Sequence, residues 1–465
     1  MVPGRNWQHG QEGGFLKIEL RHIAMPGIEI PVDRPEIAPA EFEARCDALY
    51  DAVDLDWIAV YGDREHPGNL LWLSGYDPRF EEAVLLLGPA RKRVLLVGIE
   101  GLFYKEDGLP VDLRLYHPFS IIGQPHRESP PLRELLADAG LRTGDRVGIV
   151  GWKTADPVDL DPSVPAFVPA LIVHVLDAVT STAAVDVTNH LIDPVIGQRN
   201  RNSAAQVAYF EWGAMRSSAV VMRVVHGVRP GMTELEAAGL MELQGEPGTM
   251  HPIVAASNGP LNGLRSPGAR VIAEGDAITT GFGMWGGLCC RAGVMSAAPK
   301  EDFWTTLVEP YFRAIATWWQ TVGLGVTGDE LDRAVNAAIG GAPWKSFVNA
   351  GHLTSYDEWV YGFGLPGSSW AVQSGMMMQC DIIPAPLPPG MALNCEDSLA
   401  IADDALRAEL AARYPDVWKR IERRRAFMAE QLGFTLKPEV LPLGAAPAYL
   451  PPCWMNPTTV CVVAG

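Results

Sequence analysis

The sequence lacks any apolar run of the roughly 18 residues needed to cross a bilayer. Positive charge is in deficit. The 37 Lys and Arg against 55 Asp and Glu leave a net charge of −18 at pH 7. That balance argues against nucleic acid or an anionic membrane as partner. The first residues, MVPGRNWQHGQEGG, lack the basic-then-apolar pattern of an export signal. Cysteine is sparse and odd in number. The seven are scattered apart from Cys289-Cys290, which excludes a disulfide framework and suits a reducing, cytoplasmic setting. No GxGxxG follows the apolar run RVGIVG at 146–151, so that run is a plain buried strand and not a dinucleotide fingerprint. There is no internal repeat and no low-complexity tract.

What is present is an ordinary globular balance, 48% hydrophobic and 20% charged over 465 residues. That length serves two domains, each with its own core. Residues 1–37 read as a loose, Pro- and Gly-rich lead-in. An amphipathic helix is predicted over 39–54, then a strand WIAVYG, a loop NLLWLSGYDPRFEEAVLLLG and a strand RVLLVG. A helix over 131–140 and the strand at 146–151 continue a small α/β domain over 1–190. A linker is placed near 189–200. A helix from Asn202 or Ser203 to about His226 then opens the second domain, 200–465. Thr233 and Glu236 have the spacing of a capping box. Helices are predicted over 303–322, with Trp304, Trp318 and Trp319 as core, and over 404–432. The tail PLGAAPAYLPPCWMNPTTVCVV, with Tyr449 and Trp454, reads as an arm packed over the domain or a partner.

The second domain is organised around Gly275–Arg291, GDAITTGFGMWGGLCCR, read as two strands joined at Gly286-Gly287. Three later segments carry ionisable residues inside apolar, strand-like runs: AGHLTSYDEW at 350–359, SGMMMQCDIIP at 374–384 and ALNCEDSLAI at 392–401. Such residues sit in apolar runs when they are paired or functional.

The order of these segments resembles the catalytic half of the creatinase, prolidase and aminopeptidase P family, the pita-bread fold. The expected class is therefore α+β: a small α/β creatinase-like domain followed by a pita-bread catalytic domain. In the peptidases of that family two Asp, one His and two Glu hold two divalent metals. On this sequence the two Asp fall on Gly281 and Arg291, the His on His352, and the two Glu on Asp381 and Glu396. The formal charge of that set drops from about −4 to about −1. An arginine in the shell repels a metal and pairs with Asp381 or Glu396.

The resemblance thus implies creatinase-like chemistry, with no metal and no cofactor: a hydrolase or lyase cleaving a C–N or similar bond in a small anionic or zwitterionic molecule. His352 or His251 is the candidate base, with Glu396 and Asp381 orienting it or a water. Arg291 and Arg265 are candidates for holding the substrate's anion, and Trp285, Tyr361 and Glu358 for lining the pocket. The Cys289-Cys290 thiols read as buried and inert. In the family the first domain reaches a neighbouring subunit's site, so Arg79, between Tyr76 and Phe80, is expected near the partner active site of a homodimer. Two alternatives stand beside this reading. One is an Xaa-Pro aminopeptidase-type metallopeptidase with a degenerate site. The other is an inactive small-molecule-binding homologue.

Overall fold

The computed structural model describes residues 15–104, 108–125, 128–154, 166–245 and 247–464. The first fourteen residues of the expected lead-in lie outside these. The rest of that lead-in is not all loop. Ile18–His22 forms an antiparallel pair with Thr459–Val463 near the other end of the chain.

A six-stranded mixed sheet occupies the first half, in the order Asp112–Leu115, Lys92–Val97, Ala83–Gly88, Trp57–Gly62, Val147–Val150, Val185–Asp186. Its central strands are apolar on both faces because helices cover them, chiefly Pro39–Ala52, Leu132–Ala139 and Ala170–Thr180. The stretch expected as a loop, NLLWLSGYDPRFEEAVLLLG, instead holds the helix Gly68–Ser74 and the strand Ala83–Gly88. The helix stops at Gly75, whose φ of 70° fits a left-handed cap.

The second half is built on an antiparallel sheet of eight strands. Seven run in the order Tyr361–Gly362, His352–Leu353, Met377–Cys380, Asn394–Ile401, Gly287–Val294, Ala277–Met284, Ile253–Ser257. Val440–Pro442 adds to Asn394–Ile401. The hairpin turns at Trp285-Gly286. Gly286 has φ 94°, and a Cβ there would lie 2.3 Å from the Cβ of Phe210. Only glycine fits both conditions. Phe210 belongs to the long helix Ala204–Gly227, capped by Ser203, which packs along the hairpin. Ser217 of that helix donates to the carbonyl of Gly287 at 2.9 Å and accepts from the amide of Met284 at 3.0 Å.

The capping box at Thr233 is present and starts the helix Glu234–Gly239. Trp318 and Trp319 are buried core in Glu309–Thr321, and Trp304 sits in a wider π-turn just before it. The predicted helix over 404–432 is two helices, Asp404–Arg413 and Pro415–Glu430. Pro415 lacks the amide that would continue the first helix, so it begins the second. The tail is an arm over the domain: Tyr449 and Trp454 are fully buried. We propose the domain division 1–190 and 200–465, because the small sheet ends at Asp186 and the long helix begins at Ala204. The strand Ile18–His22 crosses that division.

Candidate active site

In an antiparallel sheet, directly opposed residues point to the same face and neighbours along a strand to opposite faces. The register opposes Gly281 to Cys290, Cys290 to Glu396, Ser398 to Gln379, and Gln379 to His352. Alternation adds Asp381 to the face of Gln379. Five strands therefore deliver Gly281, Cys290, Glu396, Gln379 with Asp381, and His352 to one surface.

His352 is fully buried. Its Nε2 lies 3.2 Å from Oε1 of Glu358 and 3.6 Å from Oε1 of Glu396. The ring stacks on Trp359 with centroids 4.1 Å apart. Nδ1 is 3.2 Å from the carbonyl of Leu353, which suits a proton on Nδ1 and aims Nε2 at the carboxylates. Gln379 donates to the carbonyl of Leu288 at 2.9 Å and to Oε1 of Glu396 at 3.4 Å.

The cluster is short of positive charge. Burial raises Glu396 well above the usual carboxylate range, and the neighbouring Asp381 adds to the shift. Burial also pushes Asp381 up to about 7, with His352 pulling the other way. For His352, burial favours the neutral ring, but Glu358 and then Glu396 outweigh it and hold the imidazolium up to about 10. His352, Asp381 and Glu396 each offer a ligand atom within 4.8 Å of the other two. Oδ1 of Asp381 is buried without a hydrogen-bond partner, and Nε2 of His352 is met only by the carboxylates of Glu358 and Glu396. Converging donor atoms of this kind suit one divalent cation. A second ion is not provided for. Gly281 has no side chain, and burial among carboxylates holds the Cys290 thiol protonated, well above its ordinary range.

Arg291 departs from expectation. It lies on the opposite face of the sheet, one residue out of phase with Cys290. Its Nη2 donates to both carboxylate oxygens of Asp397, at 2.9 and 2.8 Å, and to the carbonyl of Ala446, while Nε donates to the carbonyl of Tyr449 and Nη1 to those of Cys290 and Glu396. It pairs with neither Asp381 nor Glu396 and cannot hold a substrate there. The position that meets Glu396 is Cys290, because a one-residue shift in a strand reverses the face.

Arg265 is likewise taken. It bridges the buried Glu234 at 2.9 Å and does not line the cavity above the cluster. His251 is exposed, with Nε2 2.9 Å from the carbonyl of Leu264. It lines a neighbouring cleft between the two halves and is not drawn into the cluster. Arg79, Trp285 and Tyr361 line the same cleft. Arg79 pairs with Asp77 at 2.8 Å, Trp285 packs among Tyr209 and Tyr356, and Tyr361 meets Trp370 edge-on.

Glu358 is beside His352, as the pocket reading requires. Gln379 and Asp397 were not singled out from the sequence. Both follow from alternation, Gln379 two residues before Asp381 and Asp397 one residue after Glu396.

No family model matches the sequence, and no curated protein matches it. Solved structures do. A prolidase from Pyrococcus horikoshii OT3 is similar at TM-score 0.60 and 14% identity, over 78% of this chain and 95% of its own. An Xaa-Pro dipeptidase from Bacillus anthracis is similar at 0.58 and 13%, over 79% and 96%. The aminopeptidase PepP of Pseudomonas aeruginosa is similar at 0.56 and 16%, over 79% and 93%. The fold is that of the prolidases and aminopeptidase P, α+β and pita-bread. No helix among the described residues is long and apolar enough to cross a membrane.

Proposed function

We propose that this chain is a hydrolase that cleaves a C–N bond of a small amide or peptide-like substrate at the His352 cluster, with one divalent cation held by His352, Asp381 and Glu396. The observation that carries the reading is the convergence of these three buried side chains within 4.8 Å, with Oδ1 of Asp381 left unpartnered. The bond class is borrowed from the peptidases that share the fold. The case for a metal-free centre rested on Gly281 and Arg291 in place of two carboxylates; Gly281 still offers no ligand, but Arg291 is bound to Asp397 on the far face.

Bound, such an ion supplies Lewis acidity and a nucleophile at neutral pH. The protein's own residues do the rest. The contact of His352 Nδ1 with the Leu353 carbonyl fixes the tautomer, and Trp359 holds the plane of the ring. Gln379 orients Glu396. Glu358, outside the three and partly exposed, is placed to take a proton from the attacking group and return it to the leaving nitrogen.

One observation favours a second reading. Without a cation, His352 is an imidazolium 3.2 Å from Glu358, an acid–base pair suited to metal-independent, creatinase-like hydrolysis or elimination. Elemental analysis after metal supplementation and desalting separates the two. The first reading expects about one divalent ion per chain, lost together with turnover in His352→Ala. Turnover of amide or dipeptide substrates by metal-free protein would overturn it in favour of the second. A chain that neither binds metal nor turns over any substrate of either class would overturn both.

A further inference from the structure

Above the cluster lies a cavity of about 810 Å³, in the size range of sites that enclose a drug-sized ligand. Its floor is acidic: Glu358, Asp381 and Glu396. Its walls are hydrocarbon, among them Leu288, Ile383, Leu387 and Met391. At its mouth stand Phe347, Leu264 and Trp359, with relative exposures of 75%, 70% and 40%. Large apolar side chains left in water around one opening mark a surface meant to be covered. No lysine or arginine is among the described residues that line it. The two arginines that would have supplied a cation are bound elsewhere, Arg291 to Asp397 and Arg265 to Glu234.

A free carboxylate or phosphate entering this space would meet Glu358, Asp381 and Glu396, and the cationic group beside them, the His352 ring, is already held by Glu358 and Glu396. A cation entering it has a place. A divalent ion would be held by Asp381 and Glu396 with His352, and Glu358 is the acid outside that proposed ligand set. Glu358 and Trp359 line both this cavity and the cleft beside it, so carboxylate and indole stand together at the junction. One face of the indole is stacked on His352; its other part, 40% exposed, and the second oxygen of Glu358 form a pairing of the kind that recognises ammonium groups through charge and ring.

We infer that the cavity binds a hydrophobic amine: an apolar body against the Ile383, Leu387 and Met391 walls, a cationic nitrogen at Glu358 and Trp359, and no free anionic end. This rests on the proposed reaction site being the cavity's floor, and it names the substrate class for that site. It replaces the anionic or zwitterionic substrate expected from the sequence.

The test is calorimetric binding of four probes that share one body: 4-phenylbutylamine, its trimethylammonium analogue, 4-phenylbutanol and 4-phenylbutyrate. The trimethylammonium probe cannot coordinate a metal, so it reports Glu358 and Trp359 alone. Both cations should bind about tenfold or more tighter than the alcohol, and in chelator-treated protein, where no ion takes the carboxylate, 4-phenylbutyrate should bind weakest. Glu358→Gln, nearly isosteric, should remove the cation preference and leave the alcohol's affinity unchanged. Phe347→Ala, at an exposed position, should weaken all four probes together. Tighter binding of the carboxylate to chelator-treated protein, or a cation preference that survives Glu358→Gln, would overturn the inference. Metal content measured on the same samples judges the proposed reaction separately. Cation preference without metal leaves this inference standing and removes the metal reading, and metal without cation preference does the reverse.

Discussion

At the residue scale, Arg291 carries the largest consequence. It is wholly buried against Asp397 and four carbonyls, and the carboxylate keeps it protonated against the pull of burial. Removing one member of such a pair leaves an uncompensated charge in the core. Arg291→Ala is therefore expected to cost about 3–5 kcal/mol of stability. Replacing both partners together, as Arg291→Met with Asp397→Leu, should recover much of that loss. Denaturant titration of the three variants checks it. A single variant as stable as wild type would mean that the pair is not a structural tie. The adjacent side chains on the same strands, Cys290 and Glu396, belong to the other face, and Glu396 to the proposed site.

At the element scale, the hairpin Ala277–Val294 positions that whole register. Gly286→Ala forces a Cβ onto a positive φ and into Phe210. The positive φ alone costs roughly 1–2 kcal/mol, and the clash with the long helix adds to it. A fall in the urea midpoint is expected, with metal binding weakened in parallel because the hairpin strand Gly287–Val294 pairs with the strand that carries Glu396. An unchanged midpoint would contradict the turn geometry.

The Glu234–Arg265 bridge ties the helix Glu234–Gly239 to the loop that follows Ile253–Ser257. Burial opposes ionisation of Glu234, but Arg265 and the amides of Ala256 and Gly268 prevail and hold its carboxyl below the usual range. A depressed folded value means that the stabilisation is complete above the unfolded pKa of about 4.3. It is lost as the pH falls through the folded value. The difference in melting temperature between wild type and Glu234→Gln should thus be largest near neutral pH and close at acid pH. A difference independent of pH would refute an ionic role.

At the scale of the whole molecule, the two halves meet at the loop that carries Glu358. Arg199, nearly fully buried, forms an ion pair with Asp357 at 2.7 Å and donates to Asn69 at 2.8 Å. Asn69 in turn donates to the carbonyl of Gly151 at 2.7 Å. The small sheet thereby holds the residue next to Glu358. Arg199→Leu is expected to lower kcat at least as much as it lowers stability, since it frees the Glu358 loop. A stability loss with kcat unchanged would separate the halves functionally. We also propose a two-fold homodimer with Arg79 facing the partner's cleft. Light scattering at micromolar concentration should give twice the 50.4 kDa of one chain, and a monomer there would sink the proposal.

The sequence by itself determined the elements and their order. Periodicity gave the Ala204–Gly227 helix, the capping box at Thr233 and the glycine hairpin, because those signals are local and act within a turn or a strand. It also marked His352, Asp381, Glu396 and Glu358, since ionisable residues in apolar strands are costly unless they meet a partner. It misread the segment 69–88 as one loop, although only the eight residues between the helix Gly68–Ser74 and the strand Ala83–Gly88 are loop, and it missed the helix break at Pro415. Only the tertiary structure decided which face each strand residue takes. Arg291 and Cys290 are neighbours in sequence, yet a pleated strand sends them to opposite sides. A one-residue uncertainty in register is therefore invisible in composition and complete in its effect. It removed the cation from the site, left a cluster of carboxylates round one histidine, and replaced an anion-binding pocket with an acidic, apolar one.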